Sequence, residues 1–214
     1  IVKRPVDLDY VKFVSDLVAS MASGTDMSKY DKQAIDQMPD GASHPYFYQG
    51  TGGVQFIDRS EEWGTAHLKG YFNGAAYADL NNDGKLDMVV NRLNGKALVL
   101  KNNHPDKYTL DVHLRGKDAN RFGIGARVWI FYQGKMQYQQ MSLTRGFQSS
   151  VEPALHFGLD SIRYLDSMLI VWPSQKYQLI KNVPAKGDLE FQEIHAGGQF
   201  DYDQFFSEQR SPLT

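Results

Sequence analysis

Between Asp79 and Asp87 the chain reads Asp-Leu-Asn-Asn-Asp-Gly-Lys-Leu-Asp. Acids occupy the first, fifth and ninth places, with an amide at the third and a glycine at the sixth. A hard cation such as Ca2+ takes about six to eight oxygen ligands in a flexible shell. Asp79, Asn81, Asp83 and Asp87 offer side-chain oxygens at alternate or near-alternate positions. Gly84 permits a sharp reversal, the carbonyl of Lys85 is a natural further ligand, and water completes the shell. An EF-hand loop needs a bidentate acid at its twelfth place, which here is Val90, inside an apolar run. Its flanks are also strand-like. The spacing therefore points to a strand-joining loop that holds Ca2+, with Asp87 in place of the missing acid. Mg2+ fits less well, because it resists an all-protein cage of flexible carboxylates. A plain polar turn needs Asn, Asp and Gly, but not this spacing.

Other chemistry finds less support. The chain has no cysteine, which excludes disulfides, thiolate zinc sites and a cysteine nucleophile. His44, His67, His104, His113, His156 and His195 share no close ligand spacing, and His156 lies in an apolar strand context that suits packing or a satisfied hydrogen bond. Ser142, Ser149 and Ser150 stand in no nucleophile elbow. Gly123 and Gly125 precede a strand and lack a third glycine, so they mark a bend or bulge and not a phosphate loop. Carboxylates are plentiful, but no pair is assigned to acid–base work. No catalytic residue is expected, and no cofactor besides Ca2+. Tyr132, Tyr138, Phe147 and Trp172 either form a sugar-stacking platform or pack. The alternation Val128-Ile130-Tyr132 against Trp129-Phe131 favours packing, on a strand covered on both faces by sandwich on one side and blade or helix on the other. Arg145 is expected to brace a loop through bidentate bonds.

The elements that must hold the loop follow from the pattern around it. The 214 residues suffice for one domain or two small ones, and 42% hydrophobic with 22% charged residues is a globular composition. A net charge of −2 gives no general attraction to nucleic acid, and no apolar run is long enough to span a bilayer. The first residue is Ile and not Met, which suggests a processed or trimmed chain. Val11, Val14, Leu17, Val18 and Met21 recur at helical spacing, with Asp7 or Asp9 as cap and Gly24 as stop. A second short helix is expected at 28–38, with Ser28 as cap, ended by Pro39-Asp40-Gly41. From Pro45 the pattern is one of short strands. A hairpin is expected about Gly50-Thr51-Gly52-Gly53, and strands on both sides of the acidic loop. The second half shows about seven short strands, including a hairpin about Gln133-Gly134-Lys135, and reads as an antiparallel sandwich. The aromatic tail from Gly197 has little regular pattern, so it packs on a neighbour or stays loose.

Two stretches resemble known families. Residues 73–103 (NGAAYADLNNDGKLDMVVNRLNGKALVLKNN) resemble the FG-GAP/VCBS repeat, a calcium-loop blade of β-propellers. Gly123-Ile124-Gly125-Ala126-Arg127, Arg145-Gly146-Phe147, Glu152-Pro153, Leu155-His156-Phe157-Gly158-Leu159 and Val171-Trp172-Pro173-Ser174 resemble the ASPIC/UnbV domain. In this order the two look like the C-terminal part of a CRTAC-like, VCBS-repeat protein of Bacteroidetes type. The resemblance implies a mostly β protein: a helical segment at 1–43, a partial propeller blade at 44–103, an ASPIC/UnbV-like antiparallel β-sandwich at 104–195 and a tail at 196–214. It implies metal positions at Asp79, Asn81, Asp83 and Asp87 with the Lys85 carbonyl; Asn81 stands where Asp is more usual. It also implies a non-catalytic binding or adhesion module, extracellular or at a bacterial outer-membrane surface, with a lipid anchor upstream as one means of retention. Further blades are expected upstream or in a partner chain, because one blade cannot bury both its faces. The partner is expected to be a protein or glycan at the cell surface. Alternatives are a carbohydrate-binding component of a glycan-uptake system or a structural subunit of a larger envelope complex.

Overall fold

A computed structural model describes residues 7–19, 27–93, 95–105 and 107–206. The chain divides into two compact units. One comprises Ile1–Ala75 and Val89–Val99, the other Ala76–Met88 and Leu100–Thr214. The acidic loop belongs to the second.

In the first unit, helix α1 spans Leu8–Ala19 and α2 spans Met27–Gln37. Asp7 caps α1, its carboxylate accepting the amides of Asp9 and Tyr10 at 3.2 Å each. Such a cap satisfies donors that the first helical turn leaves unpaired. The expected stop at Gly24 and the apolar position Met21 lie outside the described residues. Helix α2 begins at Met27, one residue before the expected cap Ser28. Strands β1 (Tyr48–Gly50) and β2 (Phe56–Asp58) form the expected antiparallel hairpin, Gln49 opposite Ile57. Ser60 organises its base by accepting the amide of Phe47, while its own amide bonds Asp58.

Strands β3 (Tyr71–Ala78), β4 (Asp87–Leu93) and β5 (Leu98–Leu100) form a three-stranded sheet in that order. The division between the units falls within each of these strands. Their loop ends, 76–88, go with the second unit.

The second unit is a two-sheet β structure. Strands β6 (Tyr108–Arg115), β7 (Arg127–Tyr132), β8 (Lys135–Gln140), β9 (Ala154–Asp160), β10 (Tyr164–Val171), β11 (Tyr177–Pro184) and β12 (Gly187–Gln192) supply it. One sheet has the order β11-β10-β7-β8, the other β12-β6-β9. Six of the seven expected strands pair antiparallel, but β12 runs parallel to β6, Leu189 opposite Val112. That departs from a purely antiparallel sandwich. Local alternation fixes which residues face inward, not which distant strand lies alongside.

Both sheets turn their apolar faces into one core. Leu110 and Val112 of β6, Leu155 and Phe157 of β9, Val128 and Ile130 of β7, and Met168 and Ile170 of β10 are all buried there. The alternate residues point outward, as a period of two requires. The hairpin β7–β8 turns at Gln133-Gly134, both at positive φ (48° and 70°), the twist that a tight two-residue hairpin needs. Gly123 (φ +60°) lies against Leu114 and Trp172, so it marks a close approach before β7. The buried Glu193 joins loops by accepting the amide of Lys117 at 2.9 Å and the hydroxyl of Ser174 at 2.7 Å.

The outward residues of β7 are covered too. Trp129, Leu169 and Val171 form a second cluster with Phe131, Phe200, Tyr202 and Phe205. Helix α3 (Tyr202–Phe206) and the segment before it lay their rings over Trp129, and Arg127 stands 5.1 Å from the Tyr202 ring centre. The tail thus packs on its own sheet through residue 206. The second cover of β7 includes a helix, as expected, and that helix comes from the C-terminus.

Candidate functional site

Strand β3 leads into the acidic loop and β4 leaves it. The loop closes on its own carboxylates. Asp79 Oδ1 accepts the amides of Asn81 (3.3 Å) and Asp83 (3.1 Å), and its Oδ2 accepts that of Gly84 (2.7 Å). Asn81 Oδ1 accepts the amide of Asp83 at 3.0 Å, and Asp83 Oδ1 that of Lys85 at 3.1 Å. Asp87, at the start of β4 and only 4% exposed, accepts the amide of Asn102 at 2.8 Å. These bonds answer the local competition in which Asp and Asn side chains replace strand partners for the backbone. Asn82 (φ 58°) and Gly84 (φ 79°) supply the left-handed residues of the reversal. A Cβ on Gly84 would meet Thr109 Oγ1 of β6 at 3.1 Å, so the loop rests close to that strand.

The charges of the loop are partly met from within. Asp83 Oδ2 lies 3.5 Å from Lys85 Nζ and 3.8 Å from Lys101 Nζ. Desolvation raises the pKa of the Asp83 carboxyl. The Lys85 amide, the Asn81 side chain and the Lys85 charge together outweigh it, and the group sits below the usual carboxylate range. Three carboxylates, one amide oxygen and the Lys85 carbonyl are the hard donors that Ca2+ favours, so the donor chemistry fits that ion. Among the described residues, no group of three or more His, Cys, Asp or Glu side chains is gathered closely enough to hold a metal. In this conformation the loop's oxygens serve its own amides.

Beside the loop the structure assembles residues that sequence reasoning left apart. The outer face of the β12–β6–β9 sheet floors a cavity of about 630 Å3, walled by the loop through Tyr77, Asp79 and Asp83. His156 of β9 bonds Asp111 of β6 through Nδ1 at 2.7 Å, both half-buried. His113 Nε2 lies 3.7 Å from Asp188 Oδ1 of β12. The hydrogen bond expected for His156 is thus present, and its acceptor is Asp111. Asp111, His113 and Asp188 were missed because on an alternating strand they read as an ordinary solvent face. The register, Asp111 opposite both His156 and Asp188, is what brings them together.

The aromatic candidates separate. Trp172 is 1% exposed, with Nε1 donating to Gln178 at 3.0 Å, and it belongs to the core. Tyr132 packs against that core and Tyr138 against Trp129, while Phe147 projects 61% exposed from its loop. They form no shared platform. The Arg145 side chain donates to the Gln140 carbonyl at 3.1 Å and makes no bidentate brace among the described residues, because its neighbour there is a backbone acceptor and not a carboxylate.

Residues 116–197, from the loop after β6 to the turn after β12, match the ASPIC and UnbV family. The matched stretch carries six of the seven strands of the second unit and, of the cavity, Glu152, Ala154, His156 and Lys186 to Asp188. The acidic loop and β6 lie outside it. No curated protein matches the chain. Among the described residues, no helix is long and apolar enough to cross a membrane.

Proposed function

We propose that the chain is a non-catalytic binding or adhesion module of a secreted or cell-surface protein, stabilised by Ca2+ in the loop Asp79–Asp87. The observation that carries this reading is the donor set of one loop: the carboxylates of Asp79, Asp83 and Asp87 with the Asn81 amide oxygen and the Lys85 carbonyl, with Asp87 bonded to Asn102 in the segment that leads into β6. Ca2+ would draw the acids inward from their present amide partners and hold the ends of β3 and β4 in register. The FG-GAP/VCBS likeness of residues 73–103, and with it a CRTAC-like, Bacteroidetes-type whole, is part of this proposal. So is a partner, protein or glycan, met outside the cytoplasm, with further blades in the same or another chain.

The test is thermal melting after EDTA, then with Ca2+ or Mg2+ restored. At a free ion concentration of 100 times Kd, binding to the folded state alone contributes about 2.7 kcal/mol. For a chain of this size that is an increase in Tm of roughly 5–11 °C. The rise should be specific to Ca2+ and absent in Asp83→Ala. An equal response in that variant, or none in the unaltered protein, refutes the calcium assignment.

A further inference from the structure

We propose that the cavity on the outer face of the β12–β6–β9 sheet binds a neutral polyhydroxyl ligand, a sugar or sugar-like polyol. This rests on the binding-module reading and gives it a site and a ligand class. The volume, about 630 Å3, lies within the roughly 300–1,000 Å3 of small-molecule sites. Its floor is rigid. Asp111 and His113 alternate along β6 with Leu110, Val112 and Leu114, which are anchored in the core on the opposite face. Small residues keep it open: Ala154 lies opposite His113, and Gly84 and Gly187 line the wall.

The charge arrangement selects the ligand. Almost every ionic group on the lining already has an internal partner. Asp79 holds three backbone amides, Asp83 two lysines, Asp111 holds His156 and Asp188 faces His113. Lys107 is bound to Asp160 at 2.6 Å. Glu152 and Lys186 remain without a partner among the described residues, and their opposite charges cancel. A phosphate would meet this ring of carboxylates, and on the sheet face outside the acidic loop no trio of ligands is gathered among the described residues for a bare cation. An apolar ligand would leave the polar groups of this floor unpaired, since Tyr77, Leu86 and Ala154 are the main apolar side chains on the lining. What is offered is a surface of fixed acceptors and donors. The second ring nitrogen of His156 and the second oxygens of Asp111 and Asp188 are left to meet hydroxyls, and Lys186 donates. A ligand carrying hydroxyls on every side satisfies such a surface, and the Tyr77 ring suits one apolar face of a pyranose.

Calorimetric and NMR titration of the full chain, in Ca2+ and in EDTA, tests this. The panel is glucose, galactose, N-acetylglucosamine, myo-inositol and short oligomers of the sugars, with putrescine and inorganic phosphate as charged comparisons. At least one neutral compound should bind with Kd on the order of 1 mM. Ala154→Trp, which fills the cavity, should abolish binding. Asp111→Asn should weaken it about tenfold, the loss expected for one hydrogen bond to a charged group, and His113→Ala should weaken it several-fold by removing the neighbour that positions Asp188. Should Ala154→Trp fail to fold, His113→Ala decides, because that side chain is partly exposed and outside the core. Failure of every neutral compound, unchanged affinity in the variants, or binding of putrescine or phosphate instead overturns the proposal. A calcium-dependent Tm with no sugar binding overturns the cavity and leaves the loop. Sugar binding with no calcium response does the reverse.

Discussion

Gly123 and Gly134 both sit at positive φ, +60° and +70°, but in different surroundings. A Cβ on Gly134 would meet nothing within 4 Å. One on Gly123 would lie 3.0 Å from Leu114 Cβ and 3.1 Å from Trp172 Cζ3. Leu114 is 3% and Trp172 1% exposed, so neither side chain has free space to yield into. Gly134→Ala therefore carries the conformational cost alone, about 1 kcal/mol. Gly123→Ala adds an overpacking cost of about 2 kcal/mol, for a total of about 3 kcal/mol. Guanidinium unfolding of both variants, followed by tryptophan fluorescence, measures the two losses side by side. If Gly123→Ala costs no more than Gly134→Ala, the close approach of the bend to Trp172 is wrong, and with it the reason given for glycine at that position.

Phe205→Ala removes a ring whose centre is 5.4 Å from those of both Trp129 and Phe200 and should cost about 2 kcal/mol, roughly half the loss of a fully buried Phe, by the same denaturant assay. An unaltered midpoint would show that the tail does not cover β7. The Asp160 carboxylate is held below its ordinary pKa by its hydrogen bond to Lys107 and by that residue's charge. Its contribution is present above the unfolded value of about 3.9 and is lost as pH falls through the lower folded value. Asp160→Asn should flatten the loss of stability in that acid range while leaving the neutral-pH fold intact. A melting profile from pH 7 to about 2 checks it.

Strands β6 and β9 were legible because their alternation places one face inward, and β7 and β10 because their apolar runs suit strands covered on both faces. Val128 and Ile130 went to the core as the period of two demands. The acidic loop was legible as a reversal, and Gly84 has the positive φ that its place suggested. The parallel lie of β12 on β6 was not legible, because nothing local in either strand specifies a partner about 75 residues away in sequence. The cavity was hidden for the same reason. Asp111, His113, His156 and Asp188 come from three strands, and only their register turns solvent-facing residues into one surface. The aromatic clasp of Phe200, Tyr202 and Phe205 was missed as well, since three rings without period carry no signal until Trp129 is seen beneath them.

The parallel pairing also bears on when the molecule can become itself. Strand β6, the earliest strand of the sandwich to be synthesised, is flanked by β9 on one side and by β12, the last, on the other. Until β12 emerges, one edge of β6 is an open row of amides and carbonyls, able to pair with any passing strand. Chain closure over such a span is slow, and the waiting chain is vulnerable to aggregation. The interval in which that edge stays open during synthesis is therefore set by the position of β12 in the chain, not by the length of β6 itself.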